Sequence, residues 1–220
     1  MSLAWKEIKQ SKTKYILIEG ILVLMIFMVV FLSGLANGLG DAISASIDKT
    51  DAEYFVISTD AEKLISTSKL DKEMLEQVAS QTNDKVTSLN IKRSNVNTFD
   101  DEKKLDITYF SIDPNGFLNP EITEGEKIAN AKAENPVVLD DSFKEQNIAL
   151  GDVIEDSVTG LKLTVVGFTE DELYGHSPVG FIGADTFTAL NQEINSSYVE
   201  KYNAIAVQGS DIEKINIEGL

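Results

Sequence analysis

The chain has 220 residues, a formal net charge of −17 at neutral pH, one histidine and no cysteine. This inventory excludes a disulfide framework and a cysteine nucleophile, and it leaves no ligand set for a conventional zinc site. Because an extensive negative field repels phosphate backbones, we also expect no nucleic-acid partner.

The first 14 residues form a basic arm that we predict to be cytoplasmic. In a helix, Leu3, Ala4, Trp5 and Ile8 lie on one side and the lysines on the other. This pattern suits a helix along the inner membrane surface, where a cytoplasmic partner can also grip it. The same spacing fits a segment that only fixes orientation.

A long apolar segment follows this arm. The 21 residues from Tyr15 to Leu35 contain few interruptions: Glu19, Gly20, Ser33 and Gly34. A helix of that length rises about 30 Å, enough to cross a bilayer core. Signal peptides have a shorter apolar region, of roughly 7–15 residues. We therefore predict a retained transmembrane helix over 15–38, with a cleaved signal near Gly34 and Ala36 as the alternative.

Charge on either side of this segment predicts its orientation. Four lysines and one acidic residue, Glu7, precede the segment, whereas residues 41–220 carry 15 basic and 34 acidic residues. Clusters of lysine next to a membrane helix stay in the cytoplasm. The sequence therefore predicts a cytoplasmic amino terminus and an extracellular domain over 41–220.

Two small residues and one acid inside the segment have more than one interpretation. Gly34 and Gly38 form a Gly-x-x-x-Gly pattern that allows close packing of helices, or they mark a loosened helix end. Glu19 lies near the cytoplasmic edge, so its carboxylate either reaches the interface or faces protein.

Short strand and helix patterns alternate in the first half of the extracellular domain. Glu53 to Ser58 predict a strand, and the segment SKLDKEMLEQVASQ predicts a helix with Ser68 and Asp71 placed as a capping box. VTSLNIKRSNV and KLDITYFSI predict two strands of a hairpin, joined by the polar segment TFDDEKK.

The second half begins with a turn-rich loop over 113–120. Residues 121–135 are polar and acidic, so we place a boundary between two subdomains there. Beyond it, PVVLDDSFKEQ and PVGFIGADTFTALNQ each predict a strand followed by a helix. The alternation of Leu161, Leu163 and Val165 predicts a half-buried strand, and YNAIAVQG predicts a closing strand. The fold class is therefore α+β.

Enzymatic motifs are scarce. The chain has neither a phosphate loop nor a Gly-x-Ser-x-Gly elbow. The imidazole of His176 is a side chain of the type that serves as a general base or metal ligand. A lone histidine in a loop, however, is more typical of a surface residue. The acidic runs FDDEKK, LDDS and TEDE lack the spacing of a calcium loop, which favours solvated turns.

The order of these parts resembles the permease subunits of MacB/FtsX-type ABC transporters. The resemblance lies in LAWKEIKQSKTKYILI, in FLSGLANGLG and in the long segment from PVVLDDSFKEQ to GHSPVGFI. Within that superfamily, SGLANGLGDAI followed by DAEYFVIS is similar to the haem (hemin) exporter permeases of Gram-positive bacteria.

The resemblance implies a homodimer of non-catalytic permeases in the lipid membrane, each with four membrane helices. It also implies a separate cytoplasmic ATPase subunit that supplies ATP hydrolysis. This chain stops at Leu220 with no further apolar run of sufficient length. We expect a truncated form of a longer permease, with a natural single-span protein as the alternative.

The resemblance further implies a mechanical function, in which ATP binding moves the first helix, closes paired extracellular domains and expels haem. Side-chain type and depth make Met28, Phe31 and Asn37 candidate haem contacts. Gly34 and Gly38 are candidates for helix packing, and Trp5 and Ile8 for coupling to the ATPase. Two alternatives are a sensor of antimicrobial peptides and an FtsX-like scaffold that activates a cell-wall hydrolase.

Overall fold

The computed structural model describes residues 10–97, 104–209 and 219. The chain divides into two compact units, Met1–Ile43 and Ser44–Leu220. Side chains are described outside the stretch 39–44. We treat each unit by itself.

The first unit is dominated by helix α1, Lys12–Asp48, which continues into the second unit. All side chains from 10 to 38 are exposed, and Lys12–Gly38 is the one stretch of the described residues long and apolar enough to cross a bilayer. The predicted apolar helix is thus confirmed. It extends ten residues past 38, so Gly34 and Gly38 lie inside a continuous helix and not at a loosened end.

The described part of the second unit is built on a ten-stranded mixed sheet. Its strands are β1 (Tyr54–Val56), β2 (Lys85–Asn97), β3 (Lys104–Ile112), β4 (Glu124–Gly125), β5 (Pro136–Asp140), β6 (Val153–Asp156), β7 (Lys162–Thr169), β8 (Leu173–Tyr174), β9 (Ser177–Gly183) and β10 (Ala204–Gln208).

The strands follow the spatial order β1-β10-β2-β3-β9-β5-β7-β4, while β6 pairs with β2 and β7, and β8 pairs with β9. The pairs β3/β9 and β5/β7 are parallel, and the others are antiparallel. The β2/β3 pairing confirms the predicted hairpin; its connection, 98–103, lies outside the described residues.

Within the described residues, two α-helices accompany the sheet, α2 (Lys72–Gln81) and α3 (Ala184–Gln192). Both confirm the sequence pattern, but the predicted capping box is wrong. Asp71 is the N-cap of α2, and its side chain accepts from the backbone N–H of Met74. Ser68 lies outside the helix and is buried, and its hydroxyl accepts from the backbone N–H of Ser58 instead.

The core lies on both faces of the sheet. Alternation along β3 sends Ile107 and Tyr109 into one buried cluster with α3, and Phe110 and Ile112 into another. A third cluster joins α2 to β10. The size of this core explains how a chain without disulfides holds together.

The polar segment over 121–135 is attached to the sheet. Glu124 and Gly125 pair with Phe168 and Gly167 of β7, and Ile128 is buried in the cluster that contains Phe110. The division into two subdomains at this segment stays a prediction.

Candidate functional site

The second unit contains a groove of about 600 Å³ beside the residues that follow α1. We call it the helix-exit groove. Three segments line it: Lys49 and Asp51 after the helix, residues of the segment from Phe117 to Lys127, and residues 169–172, which begin at the last residue of β7. Turn residues predicted in the 113–120 loop explain one wall, because Asp113 and Gly116 close a hydrogen-bonded turn there.

The residues after β7 are held by a contact distant in sequence. Oδ2 of Asp140 accepts from the backbone N–H of Glu172 at 2.7 Å, and Oδ1 accepts from the backbone N–H of Ser142 at 3.1 Å. Asp140 thereby caps the short 3₁₀ helix Asp141–Gln146 and fixes the loop that carries Glu172. Asp140 and Glu172 are both buried. The carboxylate of Asp140 is satisfied inside the protein by these hydrogen bonds.

Glu172 is the most unusual side chain of the groove. It is only 5% exposed, and its Oε2 makes no hydrogen bond within the part of the chain that the structure describes. Burial raises the pKa of Glu172 to about 6; the Ser46 hydroxyl and Lys49 ammonium lower the pKa, and Asp140 and Asp171 raise it. The carboxylate is thus destabilised in its charged form.

The end of α1 is attached to the same region. Ile47 packs against the cluster that contains Phe110, and Nζ of Lys49 donates to the backbone carbonyl of Glu170 at 2.8 Å. The hydroxyl of Thr50 donates to the carbonyl of Ile47 at 2.8 Å and closes the helix end. These contacts fasten the last turn of the helix to the body of the second unit.

A second buried polar cluster surrounds Asp156. Its carboxylate accepts from the Ser94 hydroxyl, from the Tyr109 hydroxyl at 3.2 Å, and from the backbone N–H and hydroxyl of Thr159 at 2.9 and 2.8 Å. Burial raises the pKa of Tyr109 well above its ordinary value and lowers the pKa of the nearby Lys92. Because Asp156 is fully engaged in closing the β6–β7 turn, we assign this cluster to structure.

His176 lies at the tip of the β8–β9 hairpin. Tyr174 pairs with Ser177, so Gly175 and His176 are a two-residue turn, and both have positive φ, +57° and +67°. Two positive φ values are typical of a type I′ hairpin turn. The side chain is exposed, which confirms the surface reading.

The three candidate haem contacts on α1 do not share one face. Met28 and Phe31 are about 60° apart around the helix axis, but Met28 and Asn37 are about 180° apart and about 14 Å apart along it. One small ligand docked on one side of this helix therefore reaches Met28 with Phe31, or Asn37, but not all three. Their role in haem binding stays a prediction.

The glycines of the Gly-x-x-x-Gly pattern lie on the same side as aromatic residues. Gly34 and Gly38 fall within about 60° of Phe31 around the axis. The rings of Phe27 and Phe31 stack on this side with centroids 5.9 Å apart. A Cβ added at Gly34 or Gly38 would meet no atom within 4 Å, so this surface is open.

Trp5 and Ile8, the candidates for coupling to an ATPase, lie outside the described residues. The acidic run FDDEKK lies outside them except for its last lysine. No group of three potential metal-ligating side chains occurs among the residues that the structure describes.

Sequence reasoning missed the pairing of the LDDS and TEDE runs. We expected solvated turns, but Asp140 and Glu172 are 2% and 5% exposed, so that expectation is wrong for both residues. One signal was present in the sequence, because each run directly follows a strongly apolar strand.

Comparison with known proteins covers nearly the whole chain. The family model described as the MacB-like periplasmic core domain matches residues 20–216. A putative hemin transport system permease protein HrtB of Staphylococcus haemolyticus is 24% identical over 204 residues, covering 92% of this chain and 56% of the relative. Its counterpart in Staphylococcus epidermidis is 25% identical over 216 residues, with coverages of 98% and 58%.

The chain thus spans a little over half the length of these curated relatives. Among solved structures, the periplasmic region of MacB from Actinobacillus actinomycetemcomitans aligns with a TM-score of 0.51 and 15% identity, over 71% of this chain and 74% of that one. At this identity the likeness concerns the fold.

Proposed function

The chain belongs to the family of MacB-like periplasmic core domains, and from this premise we propose that it acts in a membrane permease of an ABC exporter that expels hemin. The observation that carries the proposal is that two proteins named as hemin transport permeases match over 92% and 98% of the chain. The permease itself is non-catalytic in this proposal, and a separate cytoplasmic ATPase hydrolyses ATP.

We place α1 across the cell membrane. Its exposed apolar surface over Lys12–Gly38 is suited to lipid, because no polar solvent is needed to satisfy a helical backbone. Lys12 and Lys14 at its start favour a cytoplasmic amino terminus. The acidic second unit is then extracellular.

Transmission of movement is the mechanical core of the proposal. Trp5 and Ile8 are proposed to contact the ATPase, so that ATP binding displaces the amino-terminal end of α1. The packing of Ile47 and the bond from Lys49 to the Glu170 carbonyl support transmission, because they tie the last helical turn to the extracellular body. Two such permeases would pair and close around their substrate.

Two arrangements of hemin on α1 remain compatible with the helix. In the first, Met28 and Phe31 contact the porphyrin from one side, with the thioether as an iron ligand. In the second, Asn37 contacts it from the opposite side. Gly34 and Gly38 adjoin Phe31, and their lack of side chains supports close packing of a second helix on that face.

Hemin titration of the full chain in lipid nanodiscs tests the proposal. We expect a saturable change in the Soret absorbance of hemin, and a shift of that band in Met28→Leu, which removes the sulfur but keeps an apolar side chain. Met25→Leu is the matched control, because it removes the same group one turn earlier on the helix. An unchanged spectrum on adding hemin to the natural sequence would count against export.

Asn37→Ala separates the two arrangements. If Met28 and Phe31 hold hemin, this variant keeps the natural spectrum and affinity. If affinity falls in Asn37→Ala and stays constant in Met28→Leu, hemin lies on the opposite face of α1.

A further inference from the structure

We propose that the helix-exit groove binds a short aliphatic polyamine, whose ammonium groups pair with the groove carboxylates and reach the buried side chain of Glu172. The site lies wholly within the second unit. The proposal does not depend on hemin transport, because it concerns a different region and a ligand of opposite charge.

The charge of the groove favours a cation. Five carboxylates line it against two ammonium groups, those of Lys49 and Lys127. The Lys49 ammonium already donates to a backbone carbonyl, so part of its hydrogen-bonding capacity is used. A concave surface with this imbalance concentrates cations and repels the propionates of hemin.

Glu172 gives an independent reason for a ligand. A buried carboxylate oxygen without a donor costs free energy, and Oε2 of Glu172 is such an atom among the described residues. The Ser46 hydroxyl lies near enough to lower the pKa of Glu172, and it too is buried without a close hydrogen bond among the described residues. An ammonium group can donate up to three hydrogen bonds, so it supplies what this pair lacks.

The remaining lining favours an organic cation over a metal ion. Phe117 and Pro120 provide apolar surface between the charged segments, which suits the methylene spacers of a polyamine. The described residues contain no group of three metal-ligating side chains. The volume of about 600 Å³ falls within the range of small-molecule sites.

Calorimetric titration with spermidine tests the site, using the full chain in nanodiscs of zwitterionic lipid at pH 7.5. Salt at about 150 mM suppresses weak attraction between exposed charges. We expect one saturable site per chain that magnesium at the same concentration does not displace. Absence of saturable heat, or displacement by magnesium, would overturn the proposal.

Three variants locate the site. Glu172→Gln should weaken spermidine binding about tenfold or more, because it removes a desolvated charge. Asp171→Asn should weaken it about threefold, and asparagine tolerates the positive φ of +54° at this position. Glu145→Gln changes an exposed acid that is not among the groove-lining residues and should alter affinity less than about twofold.

The pH dependence distinguishes binding at Glu172 from a general structural effect. Because the pKa of Glu172 is about 6, lowering the pH from 7.5 to 5 protonates it and should weaken binding about fivefold or more. Glu172→Gln should lose this dependence. Equal affinity of Glu172→Gln and the natural chain at pH 7.5 would exclude the site; if that variant does not fold, unchanged binding in Asp171→Asn does so.

Discussion

The backbone N–H of Glu172 donates to Oδ2 of Asp140 at 2.7 Å, although 32 residues separate them in the chain. Asp140 ends β5, and Glu172 follows its parallel neighbour β7. The carboxyl ends of parallel strands meet at one edge of a sheet, which explains why two distant acidic runs converge. The bond fixes the position from which Glu172 lines the helix-exit groove.

Substitution of Asp140 should destabilise the second unit. Both of its oxygens accept hydrogen bonds, whereas the amide of asparagine offers one acceptor. We therefore expect Asp140→Asn to lower the free energy of unfolding by about 1–3 kcal/mol in urea denaturation followed by circular dichroism. Asp141→Asn, at the next and less buried position, is the matched control and should change it by less than about 0.5 kcal/mol. Equal losses in both would contradict the role assigned to Asp140.

The stability of the protein should carry a pH dependence that originates at Glu172. Its pKa rises from an ordinary 4.5 to about 6 on folding, so between these values the folded protein binds more protons than the unfolded chain. The contribution of Glu172 is therefore complete below pH 4.5 and is lost as the pH rises through 6.

Comparison with Glu172→Gln isolates this contribution. Between pH 4.5 and 7, the free energy of unfolding of the natural chain should fall by about 1.5 kcal/mol relative to the variant. The measurement is a series of urea denaturations across that range. Parallel curves for the two proteins would mean that Glu172 titrates as an exposed acid.

Asp71 and Ser68 accept hydrogen bonds from different backbone amides, so their substitution should affect hydrogen exchange at different positions. Loss of the N-cap in Asp71→Ala should speed hydrogen exchange at the Met74 amide by about fivefold, equivalent to about 1 kcal/mol. Ser68→Ala should act instead at the Ser58 amide. A faster Asp71 amide in Ser68→Ala would restore the predicted capping box, in which the Ser68 hydroxyl accepts from the Asp71 N–H.

The sequence predicted those parts of the fold that repeat with a simple period. Alternation along Leu161, Leu163 and Val165 identified β7, and the run from Tyr15 to Leu35 identified most of α1. At the start of β7 burial follows the period of two, because Leu163 and Val165 are buried and Lys162 is exposed. The helix α1 was identified instead by the length of its apolar run.

The groove was not predictable in the same way. Glu172 and Asp140 belong to acidic runs of a kind that is usually solvated, and their burial depends on the parallel pairing of β5 with β7. Register between strands so far apart in the chain depends on tertiary packing rather than on local propensity. The predicted capping box is wrong for a related reason. Ser68 is buried, and its hydroxyl accepts from the Ser58 backbone N–H and not from the helix.

Two glycines with the same φ angle provide a test of the packing between β4 and β7. Gly125 and Gly151 both have φ of +85°. A Cβ at Gly125 would overlap the Val166 carbonyl oxygen and lie 2.8 Å from Cα of Gly167, whereas a Cβ at Gly151 would meet nothing within 4 Å. Alanine at either position is strained by the same left-handed φ, but only at Gly125 does its Cβ also clash with neighbouring backbone.

Gly151→Ala should therefore lower the free energy of unfolding by about 1–2 kcal/mol, which is the cost of a left-handed backbone. Gly125→Ala should lower it by roughly 3 kcal/mol or more, because the backbone of β4 must also move away from β7. Urea denaturation of both variants measures the difference. Backbone strain is common to the two variants, so equal losses of stability would show that β4 has room to separate from β7. In that case the contact between β4 and β7 does not fix the wall of the helix-exit groove, which continues from Glu121 and Thr123 into β4.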